Sequence, residues 1–124
     1  MAPLSKVSGA TFHSLQKGPA ALEATTPPAG LHIVDHASQL TDFGMTANLI
    51  AHLDLVVAVD TAVAHLAGAM GKPAYVMVPF MPDWRWMLHR QDSPWYPTLK
   101  LFRQRQMNDW SWVIESIGRA LGGL

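Results

Sequence analysis

Three stretches of the chain, residues 31–34, 55–59 and 74–78, are apolar with no polar alternation, the pattern of strands covered on both faces of a parallel sheet. Such strands need helices to link and cover them. Met45, Leu49, Ile50 and Leu53 recur at helical spacing in one interval, and Val63, Leu66, Ala67 and Met70 do so in the next. Weaker strands at residues 11–16 and 99–103 extend the series, the second leading into a helix marked by Trp112, Ile114, Ile117, Ala120 and Leu121. Strands alternating with helices through right-handed crossovers predict an α/β fold. It is a Rossmann-like parallel sheet with helices on both faces, with any ligand at the carboxyl ends of the strands.

Turn chemistry agrees with these boundaries. Gly71, Lys72 and Pro73 read as a helix C-cap, a cation complementing the helix dipole and a stop, so the helix of residues 61–70 is well delimited. Thr26, Pro27, Pro28, Ala29 and Gly30 form the clearest turn. Residues 79–97 hold four prolines and three tryptophans and are too long for a simple connection, which marks them as a functional element. A single domain covering residues 1–124 is the simplest division. Residues 3–7 read as the tail of a helix running straight into the first strand, so the usual opening strand and phosphate-facing turn of a nucleotide-binding lobe are expected to be missing.

Composition narrows the function classes. At 124 residues and 13.6 kDa the chain has the size of one domain, which excludes a two-domain enzyme with a cleft between its halves. Apolar residues make up 49% and charged residues 15%, below the roughly 25% charged of an average domain, so part of the apolar surface is expected to meet a partner. Nine Lys and Arg balance nine Asp and Glu, leaving no field to gather nucleic acid or anionic lipid. With no cysteine there is no disulfide framework, thiolate nucleophile or cysteine zinc site. No apolar run reaches the roughly 18 residues of a membrane span, and the first ten residues lack a signal-peptide core. The expectation is a soluble, cytoplasmic protein without a nucleic-acid partner.

The strongest local signal is Val57-Ala58-Val59-Asp60-Thr61-Ala62-Val63-Ala64-His65, where a buried strand ends at Asp60 and a helix of small residues starts at once. The first-turn amides of Thr61, Ala62 and Val63 sit at the positive end of the helix dipole, and with the Thr61 hydroxyl they can receive a phosphate. His65, four residues after Thr61, lies on the same helix face. In the alternative reading Asp60 and Thr61 only cap the helix and His65 packs against the sheet. Gln16 and Lys17 follow the first strand at the same rim, where the ammonium can neutralise a diphosphate or simply be solvated. Asp35 and His36 follow the second, where a carboxylate can accept ribose hydroxyls.

His32 and His36 have the interval of a helical metal pair, but in a strand running into a loop that interval does not align them, and no metal site is expected. There is no Gly-x-Ser-x-Gly elbow and no glycine-rich phosphate loop. In Pro79-Phe80-Met81-Pro82-Asp83-Trp84-Arg85-Trp86-Met87-Leu88, Trp84 or Trp86 can stack on a base or sugar, form a protein interface, or close the core against Trp95 and Tyr96. Internal packing is the expectation for most of these residues.

Residues 49–79, with Asp60-Thr61-Ala62-Val63-Ala64-His65 and Gly71-Lys72-Pro73 within them, followed by Pro82-Asp83-Trp84-Arg85-Trp86, Asp92-Ser93-Pro94-Trp95-Tyr96-Pro97 and Leu101-Phe102-Arg103-Gln104, resemble the carboxyl-terminal lobe of family 9, heptosyltransferase-like glycosyltransferases. The forms fused behind tetratricopeptide repeats are the most similar. Ser14-Leu15-Gln16-Lys17-Gly18-Pro19 and Leu40-Thr41-Asp42-Phe43 extend the resemblance over nearly the whole chain.

The resemblance implies the carboxyl-terminal half of a GT-B fold, lacking its first strand, that binds a nucleoside-diphosphate sugar as substrate with no metal or other cofactor. Carried over by position, Thr61, Ala62, Val63 and His65 meet the diphosphate, Gln16 and Lys17 approach it, and Asp35, His36 and residues 40–43 border the ribose and base. In such proteins the acceptor side and catalytic base belong to the amino-terminal lobe, so the chain alone is expected to be inactive in transfer. Its expected partners are that lobe or tetratricopeptide repeats. A bare sheet edge left by the missing strand invites homodimerisation, and the alternative function is an inactive lobe serving as an interaction or dimerisation module.

Overall fold

The computed structural model describes residues 1–122. In chain order it has a 3-10 helix Ala2–Lys6, β1 Phe12–Ser14, a 3-10 helix Gly18–Thr25, β2 Ile33–Asp35, α1 Phe43–His52 and β3 Val56–Val59. There follow α2 Ala62–Ala69, β4 Ala74–Val78, a 3-10 turn Trp84–Trp86, β5 Leu99–Arg103 and α3 Ser111–Gly122. Every strand pairing is parallel: β4 lies between β3 and β5, with Tyr75 opposite Val57 and Lys100, and β1 pairs with β2, with Ser14 opposite Asp35. This is the Rossmann-like α/β architecture that the apolar runs predict. β4 and β5 coincide with their predicted spans, and β3 differs by one residue.

The sheet is interrupted: β1 and β2 form one unit, and β3, β4 and β5 another. The two units nonetheless belong to one layer, because they share both packed faces. On one face Phe12 and Ile33 join Val57, Tyr75 and Met77 against a buried cluster of Leu4, Leu31, Phe102, Val113 and Ile117, which brings in α3 and the first 3-10 helix. On the other, Leu15 joins Val56, Ala58 and Val76 beneath Ile50 of α1 and Ala64 and Ala67 of α2. Among the described residues no strand pairs with β3 on the side away from β4, and the ladder breaks there. The Val56 amide donates to the Pro73 carbonyl at 3.0 Å. The alternation of a parallel ladder therefore turns Val57 and Val59 away from β4, toward the break.

Two expectations change. Residues 31–34 are not covered on both faces: Leu31 is buried, but Val34 is 43% exposed. The reason is position, since β2 is paired on one side only, in a two-stranded unit. Lys72 does not serve the dipole of α2; its ammonium donates to the carbonyls of Ala51 and Leu53 at the end of α1. The exit of α2 is made instead by Gly71 at a φ of +67°, with the Lys72 amide donating to Ala67 at 2.9 Å.

Residues 79–97 run over the carboxyl rim and down the outer edge of β5. Trp86 is completely buried, and the Arg103 guanidinium donates to its carbonyl and, at 2.7 Å, to that of Arg90. The Leu101 amide donates to Gln91 at 2.7 Å, covering an edge that would otherwise stand open. Internal packing does not hold for most of this segment: Phe80, Met81, Trp84, Met87, Leu88 and Trp95 are all exposed. A single 3-10 turn can bury only one of its two tryptophans. Among the described residues no helix is long and apolar enough to cross a membrane.

Candidate functional site

The site is built where β3 stops and α2 starts. Extended backbone at Thr61 (φ −141°, ψ 171°) makes it the N-cap, but its side chain does not cap the helix. Its hydroxyl turns back to the Val59 carbonyl at 3.3 Å. The Thr61 carbonyl accepts the amides of Ala64 at 3.0 Å and His65 at 3.4 Å, while those of Thr61, Ala62 and Val63 meet no acceptor among the described residues. Thr61 and Ala62 are exposed and Val63 is half-buried, so this positive end of the helix lies at the surface. By contrast, α1 is capped in the ordinary way, with Asp42 Oδ1 accepting the Met45 amide at 2.8 Å.

His65, one turn further on, stands beside this terminus within a polar and aromatic frame. Its Nε2 lies 3.5 Å from Asp60 Oδ1, and its Nδ1 lies 3.1 Å from the Tyr96 hydroxyl. Trp86 stacks on the ring at a centroid distance of 5.2 Å, and Tyr96 meets it edge-on at 5.7 Å. Trp86 Nε1 is buried without a hydrogen-bond acceptor. The Arg85 amide, its guanidinium and, more weakly, His65 hold the Asp83 carboxyl below its ordinary value. Arg85 in turn lies over the Trp84 ring at 4.9 Å, and Trp95 donates its indole N–H to the Arg85 carbonyl at 3.1 Å. Trp84 and Trp95, 67% and 54% exposed, therefore form a fixed edge-to-face pair beside the site.

The sequence-derived residues divide into those gathered here and those engaged elsewhere. Asp60, Thr61, Ala62, Val63 and His65 form one continuous corner. Gln16 and Lys17 are exposed after β1, and no hydrogen bond or ion pair ties either side chain to that corner. Asp35 is engaged locally, its Oδ1 accepting the Ala37 amide at 2.9 Å. His36 does not pair with His32: its Nε2 lies 2.8 Å from His13 Nδ1, and its Nδ1 lies 3.1 Å from Gln39 Oε1. Among the described residues, no three metal-binding side chains come together. Tyr96 enters the sequence reading only as a packing partner. The available signal is Gly68, three residues after His65 on α2, whose missing side chain admits the Tyr96 ring.

Residues 25–76 match the family model of Glycosyltransferase family 9 (heptosyltransferase). That span holds Asp35, His36 and Asp60 through His65, and leaves out Gln16, Lys17 and the tryptophan segment. The chain is also similar to Protein FlbA of Caulobacter vibrioides, with 29% identity over 126 residues covering 96% of this chain and 20% of FlbA. It thus spans about a fifth of the length of that curated relative. No solved structure matches it.

Proposed function

We propose that this chain is the donor-binding lobe of a family 9 glycosyltransferase and holds the diphosphate of a nucleoside-diphosphate sugar at the open end of α2. The observation that carries the reading is the set of unpartnered amides at Thr61, Ala62 and Val63, with the Thr61 hydroxyl and His65 beside them. The family match over the same residues supports it. In the complete protein, the bond between the anomeric carbon and the diphosphate oxygen breaks with its electron pair moving to the diphosphate. An acceptor oxygen forms the new bond and gives its proton to a base on the other lobe. The helix amides and His65 stabilise the charge growing on the leaving group, a role needing no metal ion. Gln16 and Lys17 approach the phosphates, and Asp35 and His36 border the nucleoside. The remaining lobe or tetratricopeptide repeats supply the acceptor side, in the cytoplasm, and the chain alone performs no transfer.

Calorimetric titration with ADP, UDP and GDP and their sugar conjugates tests this. Saturable binding is expected for at least one of them, weakened about ten- to a hundredfold by Thr61→Ala or His65→Ala, the scale of one lost charge-assisted hydrogen bond. No heat with any of the three nucleotides contradicts the reading.

A second reading rests on the interrupted sheet and the exposed apolar side chains of residues 79–97: an inactive lobe that dimerises or docks through these surfaces. A tight dimer in sedimentation over a range of concentrations, with no response to nucleotide, favours it over the first.

A further inference from the structure

Tyr96 lies against α2 because Gly68 has no side chain. A Cβ at Gly68 would stand 2.5 Å from Cγ of the Tyr96 ring and 2.7 and 2.9 Å from its Cδ atoms, closer than real contacts allow. The backbone leading into the ring is fixed as well, because buried Ser93 accepts the amides of Trp95 and Tyr96 on its Oγ, each at 3.2 Å. From this niche the Tyr96 hydroxyl reaches His65 Nδ1 at 3.1 Å, while Asp60 stands 3.5 Å from Nε2 and Trp86 covers a ring face.

These partners choose a tautomer. The phenol hydroxyl donates to Nδ1, and the Asp60 carboxylate, 3.5 Å from Nε2, attracts a proton there electrostatically, so the neutral imidazole carries its proton on Nε2. We propose that Tyr96 is a positioning residue: seated on Gly68, it locks His65 in the Nε2–H tautomer and turns that donor toward the rim where β3 ends. The consequence for nucleotide rests on the donor-lobe reading of α2; the tautomer itself does not. Lost rotamer freedom is the physical gain, since a histidine held at Nδ1 and by a stacked indole meets an anion with little reorganisation.

The test is Tyr96→Phe, which keeps the ring in its niche and removes only the hydroxyl. In the wild type, nitrogen-15 histidine spectra are expected to show His65 as a single Nε2–H tautomer, its signal assigned by its absence from His65→Gln. In Tyr96→Phe the Nδ1 resonance shifts and both tautomers appear, while affinity for whichever of ADP, UDP or GDP binds falls about fivefold and the thermal midpoint is kept. Gly68→Ala is expected to give the same spectral change by expelling the ring. An unchanged His65 spectrum in Tyr96→Phe overturns the proposal. If the wild type binds none of ADP, UDP and GDP, the donor-lobe reading falls, and the spectra still decide the role of Tyr96.

Discussion

Lys72 Nζ lies 2.7 Å from the carbonyl oxygen of Leu53 and 3.0 Å from that of Ala51, so the cation that follows α2 closes the end of α1. The last carbonyls of a helix lack intrahelical donors, and an ammonium supplies them. Thr98 adds a third tie by donating its hydroxyl to the Lys72 carbonyl at 3.0 Å, just ahead of β5. Lys72→Met keeps the aliphatic stem and removes the donor. It is expected to cost about 1–2 kcal/mol, read as a lower urea midpoint at unchanged slope. An unchanged midpoint would show that water serves these carbonyls equally well.

The three tryptophans of residues 79–97 should separate sharply in stability. Trp86 is fully buried, and Trp86→Ala is expected to cost about 3–5 kcal/mol. Trp86→Phe should cost less than half as much, because it also removes an indole N–H that has no acceptor. Trp84→Ala and Trp95→Ala remove exposed rings and should each cost less than about 1 kcal/mol. Equal losses at all three positions would contradict this division of the segment.

The 83–86 turn should respond to acid only at low pH. Its Asp83 carboxyl is held below the ordinary value of 3.8, chiefly by the Arg85 amide. A depressed carboxylate contributes stability that is complete above its unfolded value of about 3.9 and fades as pH falls through the folded one. Indole fluorescence is therefore expected to show the Asp83 step only below about pH 4. Asp83→Asn should abolish that acid step; a wild-type midpoint well above pH 4 would count against the assignment.

Amide exchange reports directly on the break in the sheet. Val56 and Ala58 face β4 and should be protected, whereas Val57 and Val59 face the break and should exchange at least about tenfold faster. Protection of Val57 that grows with protein concentration would indicate a second copy pairing along that edge, and would favour the dimerisation reading.

Much of the fold is legible in the sequence because parallel strands covered by helices leave uninterrupted apolar runs. That signal places β3 and β4 almost residue for residue. It fails at residues 31–34, where apolar side chains occupy a strand that is paired on one side and only partly covered. It also misjudges residues 79–97, because prolines and tryptophans mark an unusual connection without saying which ring turns inward. The α2 terminus is readable as a strand running directly into small residues, whereas Tyr96, 31 residues from His65, has no periodic relation to it.

Local chemistry determined the order of strands and helices, the abrupt start of α2 at Thr61 and its glycine exit, since these depend on spacing, side-chain size and backbone freedom within a few residues. Tertiary structure alone decided that the sheet is interrupted beside β3, that Lys72 serves α1, that His36 turns to His13, and that Tyr96 fills the space over Gly68. Each of these is a contact between segments distant in the chain, set by which surfaces the packed layers bring together.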